Sequence, residues 1–173
     1  VEDLLRRGFV VSAEAALEQR AAARKDDGEA RVALAAIAVS RHDVDRALAI
    51  LESAKHLLPR PRGLDYVRGL ALLRGGRAEA AADAFAEALE EEPDDWAASF
   101  QLALHFRRRG RRLQEEVALE HALLRLEEEP IPVPDHGPAA ILLDSVHRDP
   151  AAALREGRLR RTEIATRAAG RSP

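Results

Sequence analysis

The sequence predicts an all-α fold, a solenoid of antiparallel helix pairs, and three observations carry that prediction. Apolar residues recur at helical spacing in one segment after another. The same residue types come back 34 positions further on, without a gap. Aromatic residues make up only 3% of the 173-residue chain, so the core has to be built from Ala, Leu, Val and Ile. Such a core suits thin, closely packed helices.

The segment 76–93, GRAEAAADAFAEALEEEP, shows the local logic. Ala81, Phe85, Ala88 and Leu89 form one helical stripe, with Gly76 before it and Pro93 to stop it. Upstream, Gly69 and Leu72 lie on a second apolar pattern over 63–74. The tight Gly75-Gly76 turn joins the two as an antiparallel hairpin. The small residues Gly69 and Ala81 let the helices approach; Ala81 is expected at the crossing and Ala82 on the outside. Helices are expected near 10–25, 29–41, 44–57, 63–74, 78–91, 96–109 and 112–128.

A step of 34 carries Ala47, Leu51, Ala54 and Pro59 onto Ala81, Phe85, Ala88 and Pro93. A further step carries Gly69, Leu72, Gly76, Phe85 and Leu89 onto Ala103, Phe106, Gly110, Leu119 and Leu123. Backward, His42, Ala47 and Leu51 reach Gly8, Ala13 and Leu17. The array is therefore 1–129, with full units 28–61, 62–95 and 96–129 and a partial unit over 1–27. Three departures stand near its ends. Glu115 occupies the place of Ala81 and Ala47, where burying a charge is expensive. Glu127 replaces the stopping proline, and Arg20 replaces an alanine.

From Pro130 the pattern changes. The stretch PIPVPDHGP, 130–138, has too many prolines for helix and is expected to be extended, with 130–137 as a linker. Region 138–173 is expected to supply a capping helix or helices and a basic tail. Pro138 to His147 can form a short helix burying Ile141, Leu142 and Val146. A second helix starts with Asp149 as N-cap and Pro150 in its first turn, and Gly157 is a possible break. From Pro150 onward six arginines face only Glu156 and Glu163. This leaves the tail at +4 and the rest of the chain at −7. The tail is expected to cover apolar surface of the array, either capping its open end, which the short linker favours, or folding back into a groove.

The 34-residue helix–turn–helix spacing resembles the tetratricopeptide repeat over 1–129. The resemblance implies a right-handed superhelical solenoid and a concave groove, made by the first helix of each unit, that binds a peptide or an amphipathic helix. Carried over residue by residue, the groove positions are Val32, Ala36 and Val39; Tyr66, Leu70, Leu73 and Arg74; and Phe100, Leu104, Arg107 and Arg108. Some members clamp a C-terminal carboxylate. The matching positions here, Val32, Ala36, Val67, Ala97 and Gln101, carry no cation, so that specificity is not expected.

Chemistry is sparse. With no cysteine there is no disulfide or thiolate, and no phosphate loop, GxSxG or HExxH occurs. His147–Asp149 reads HRD but lacks the other kinase elements, and Asp149 is better explained as a helix cap. In RHDVD, 41–45, Asp43 is likewise read as a cap. No catalytic residue, metal site or cofactor is expected. FRRRGRRL, 106–113, is the sharpest cluster, suited to a solvated turn or to an acidic partner. Few aromatics and an acidic body argue against nucleic acid. The longest apolar run, Val32 to Val39, is far short of the roughly 20 residues that span a bilayer. The heavy use of Arg and Ala points to a bacterial source and the absence of a signal pattern to the cytoplasm. The absence of methionine even at residue 1 points to a missing N-terminus. The expected function is a non-enzymatic protein-interaction scaffold or adaptor. The alternative is a regulatory or substrate-positioning module cut from a larger enzyme or transcription regulator.

Overall fold

Helices form where the apolar periodicity places them, in a computed structural model that describes residues 1–143 and 149–170. They are α1 (Glu2–Arg6), α2 (Val10–Ala23), α3 (Gly28–Ser40), α4 (Val44–Ala54), α5 (Leu64–Arg74), α6 (Ala78–Glu91), α7 (Trp96–Arg108), α8 (Arg112–Leu126) and α9 (Pro150–Ala169), with a 3-10 turn over Gly137–Leu142. No strand occurs among the described residues. The seven helices expected between residues 10 and 128 all form, most ending one to three residues early. The five-residue α1 carries too little periodicity to be expected.

Local chemistry sets the helix starts. The carboxylates of Asp27, Asp43 and Asp149 accept from the N–H groups of Ala30, Arg46 and Ala152, and Asp95 accepts from both Ala97 and Ala98. The turns preceding α2, α4, α6 and α8 each contain a left-handed residue, at Gly8, His42, Gly76 and Gly110, with φ of 79°, 63°, 73° and 67°. These positions are 34 apart. His42 is the one with a side chain, in a conformation that costs an L-residue roughly 1–2 kcal/mol. It is exposed and part of no described core. His42→Gly is therefore expected to raise stability by up to about 1 kcal/mol in urea unfolding, a gain limited by glycine's larger unfolded-state entropy.

The described residues form two compact units, with the boundary inside α6. The first comprises 1–88 and the described part of 135–144; the second comprises 89–134 and the rest of the C-terminal region.

In the first unit, α2 packs on α3, α3 on α4 and α5, and the 3-10 turn lies on α3 and α1. Ala13, Leu17, Ala30, Ala33 and Ile37 are sealed from solvent, and Ile141 and Leu142 pack on that cluster. The close approach of α5 and α6 is made by Gly69: a Cβ there would lie 2.5 Å from Cε1 of Phe85. Ala81 is buried as expected, but Ala82 is buried too. The outward placement of Ala82 is corrected, because α6 buries a wide arc (Ala81, Ala82, Ala84, Phe85 and Ala88) and not a single stripe. Arg20 is no packing defect. Its guanidinium donates to the Asp27 carboxylate from Nε at 3.2 Å and from Nη2 at 3.0 and 3.2 Å. Burial pushes the Asp27 carboxyl up, but the Ala30 N–H together with Arg20 and Arg24 outweighs it and holds the group below the usual carboxylate range.

In the second unit α7 packs on α8 and α8 on α9. Asp149 caps α9 and Pro150 opens it, as expected. Gly157 does not break the helix. It brings α9 onto α8, where a Cβ would stand 2.8 Å from Cδ2 of Leu123. Glu115 is buried and receives two hydrogen bonds from Arg160, Nε at 2.5 Å and Nη2 at 3.0 Å. Arg158 and Arg161 both reach Glu127 at 3.1 Å. The hydrogen bond from Arg158, then the charges of both arginines, hold the Glu127 carboxyl below its usual range against some desolvation. The charge complementarity of tail and body thus takes material form as α9 on α8. The short helix expected over 138–147 is a 3-10 turn ending at Leu142, and Val146 and His147 lie outside the described residues.

Candidate interaction surfaces

The expected groove residues fall into both units, and in each unit the chain's own C-terminal region lies on them. In the first unit, Val32, Ala36 and Val39 of α3 and Tyr66 and Leu70 of α5 are buried, while Leu73 is half-buried. Arg74 is exposed and donates from Nη1 to the Val39 carbonyl at 2.8 Å, tying the ends of α3 and α5 together.

The segment after the prolines lies on this face. Arg62, just before α5, pairs with Glu29 at 2.5 Å and also with Asp135. The next residue, His136, is 2% exposed and stacks on Tyr66, with ring centroids 4.5 Å apart and planes at 17°. Tyr66 is backed in turn by Phe85 at 5.5 Å. Gly63 makes room, since a Cβ there would sit 2.9 Å from the His136 Cβ and 3.0 Å from its Cα. Beyond this, Pro138, Ala139 and Leu143 are buried, and Ile141 and Leu142 reach the α2–α3 cluster. The surface therefore offers a basic residue, an aromatic platform and an apolar trough in succession.

In the second unit Phe100 is buried, Leu104 is half-buried and Arg107 and Arg108 are exposed. Glu156 approaches Arg107 at 3.6 Å. A space of about 10 Å³ remains among Phe100, Leu104, Gly157 and Arg160, so α9 all but fills the hollow above these groove positions. Two segments of the C-terminal region thus lie on helices of their own unit: α9 on α8, and 135–143 on α3 and α5.

The sequence named most of the covered residues and expected the C-terminal region, through Ile141 and Leu142, to cover apolar surface; it did not name His136 as part of that cover. His136 has no local motif; the position of Gly63 opposite it and the high apolarity of the groove were the available hints. Trp96 also went unremarked; its indole N–H donates to the Pro132 carbonyl at 2.7 Å and anchors the linker in the second unit.

The helix pairs and their turns make an all-α helical-repeat fold, tetratricopeptide-like in its likeness to a solved structure. The solved structure "MamA RS-1 ArsTM double mutant", of a tetratricopeptide-containing protein, is similar to this chain, with a TM-score of 0.61 and 21% identity over 96% of this chain and 90% of that one. No family model matches the sequence, and neither does any curated protein. No described helix is long and apolar enough to cross a membrane.

Proposed function

We propose that this protein is a non-enzymatic interaction scaffold. Its α3–α5 face binds an extended, proline-containing peptide carrying an acidic residue and then a ring, and residues 135–143 hold that face as a tethered internal ligand. One observation carries the reading: a segment of the chain that leads into the 3-10 turn already makes such an interaction, with Asp135 on Arg62, His136 on Tyr66 and Gly63, and apolar residues following. A tethered ligand has an effective concentration in the millimolar range, so an outside peptide competes only when the resident contacts are weak or weakened. The fold suits the role, because helical-repeat surfaces hold peptides and helices through shape and a few anchors. The repeat array at 1–129 and the adaptor role belong to this proposal.

The test uses a fluorescent peptide copying residues 131–143 and the full chain. Asp135→Lys combined with His136→Ala should loosen the resident segment and raise affinity for the peptide at least about tenfold over wild type. Adding Arg62→Glu should abolish the gain. If the double variant keeps its helical circular dichroism and binds the peptide no better than wild type, the proposal fails.

A further inference from the structure

The two units contain grooves built from residues 34 positions apart, and their linings are chemically opposed. In the first unit the groove measures about 410 Å³, and its wall includes Lys55, Arg68, Asp83 and Glu87. It is closed electrostatically, with Arg68 donating to Glu87 at 2.6 Å. In the second unit the corresponding groove measures about 490 Å³, and the same four places carry Leu89, Leu102, Val117 and His121. Leu72 of the first becomes Phe106 of the second. On the outer wall Glu79 corresponds to Leu113. Leu113 and Val117 are 78% and 73% exposed, and Leu124 continues the same face of α8 at 64%. Single exposed apolar residues need no explanation, but a contiguous strip in a concave site does. The equivalent groove in the same chain shows that the fold itself is satisfied by charges here.

The strip has a direction. On α8, Leu113, Val117 and Leu124 are spaced four and seven residues apart and span about 16 Å at 1.5 Å per residue, or three helical turns. Arg111 stands at the Phe106–Leu113 end, where its backbone N–H donates to the Phe106 carbonyl at 2.9 Å. The Arg111 side chain is exposed and makes no ion pair among the described residues. That end is also the N-terminus of α8, where the helix dipole adds to the positive potential. At the far end the His121 ring is pinned by the Ser99 hydroxyl, with Nδ1 to Oγ at 2.7 Å.

We infer that this second-unit groove docks an amphipathic helix of a partner protein, with apolar side chains at i, i+4 and i+7 in the strip and carboxylates at the end that meets Arg111. A helix suits a short straight strip between helices, and an exposed arginine beside an apolar floor selects an acidic flank. The site shares no residue with the α3–α5 face, so the two readings stand or fall separately.

The probes are two stapled helical peptides of about 15 residues, long enough to hold helix. Both carry leucine at i, i+4 and i+7; one ends in glutamates, the other in lysines. Anisotropy with the full chain is expected to show the glutamate peptide binding at least about tenfold tighter than the lysine peptide. Leu113→Glu with Val117→Asp, which installs the residues of the preceding unit, should cut that affinity by about tenfold or more without lowering the melting temperature. Arg111→Glu should narrow or reverse the preference while leaving the strip intact. The inference is overturned if the glutamate peptide does not bind below about 1 mM, or binds wild type and the Leu113/Val117 variant equally. It is also overturned if the wild type is an oligomer by light scattering that this variant dissociates, since a second copy would then be the occupant.

Discussion

Arg160→Ala is expected to destabilise the second unit by about 3–5 kcal/mol, the usual cost of removing one partner of a buried ion pair. Glu115 is 2% exposed, and its two oxygens receive Nε and Nη2 of Arg160. The arginine side chain is itself 15% exposed, so neither charge is well placed to recover solvation in water. Alanine leaves the Glu115 carboxylate without its hydrogen-bonded cation, in a space lined by Leu119, Phe100 and Arg107. Arg160→Lys keeps the charge but loses the two-pronged geometry and should fall between alanine and wild type. Glu115→Leu with Arg160→Met should be milder than Arg160→Ala, because no unpaired charge is buried. Urea unfolding followed by circular dichroism gives all three. An Arg160→Ala loss below about 1 kcal/mol, the value of an exposed pair, would mean that the bridge is solvated.

Gly69→Ala is the second large effect, and its sign is diagnostic. In an unobstructed helix interior the change would stabilise by up to about 1 kcal/mol. Here the added Cβ meets the Phe85 ring at 2.5, 2.7 and 2.8 Å, and the ring is buried, stiff and packed on Tyr66. The expected outcome is a net loss of about 1–3 kcal/mol, with a lower melting temperature. Phe85→Leu should cost stability alone yet reduce the penalty of Gly69→Ala when combined with it. Gly157→Ala is the contrasting case. Its nearest obstacle is Cδ2 of Leu123 at 2.8 Å, the end of a flexible side chain, so its penalty should be smaller than that of Gly69→Ala.

What could be read from the sequence was what is decided locally. Asp43 and Asp149 were legible as caps because a carboxylate accepts from an N–H three residues on, and Gly76 and Gly110 as turns because glycine permits the left-handed conformation; Asp27 and Asp95 begin helices in the same way. The Gly69 approach was legible because the small residue and its partner element are neighbours in sequence. Ala82 was misplaced because periodicity reports one stripe, whereas a helix with several neighbours buries an arc. The meeting of His136 with Tyr66 and of Arg160 with Glu115 could not be located. The second pair is separated by 45 residues, and nothing in either neighbourhood names the other. The sequence showed their two halves as oddities: a carboxylate where its equivalents are alanine, and a basic tail on an acidic body. Whether a partner or the tail covers the groove residues was left open, because their apolarity looks the same in either case.

The bridge from Arg160 to Glu115 also ties the second unit to the order in which a polypeptide is made. The arginine follows its carboxylate by 45 residues, so at ribosomal rates of about 5–20 residues per second it is polymerised roughly 2–9 s later. During that interval the α8 face bearing Glu115, Leu119 and Leu123 lacks the helix that lies on it in the finished protein. A nascent chain stalled after residue 129, or a fragment cut there to isolate the helix pairs, presents leucines to solvent around an unmatched carboxylate. Completion of α9 is thus the step that covers this face, and a loss of residues 150–169 is expected to leave it open to proteases.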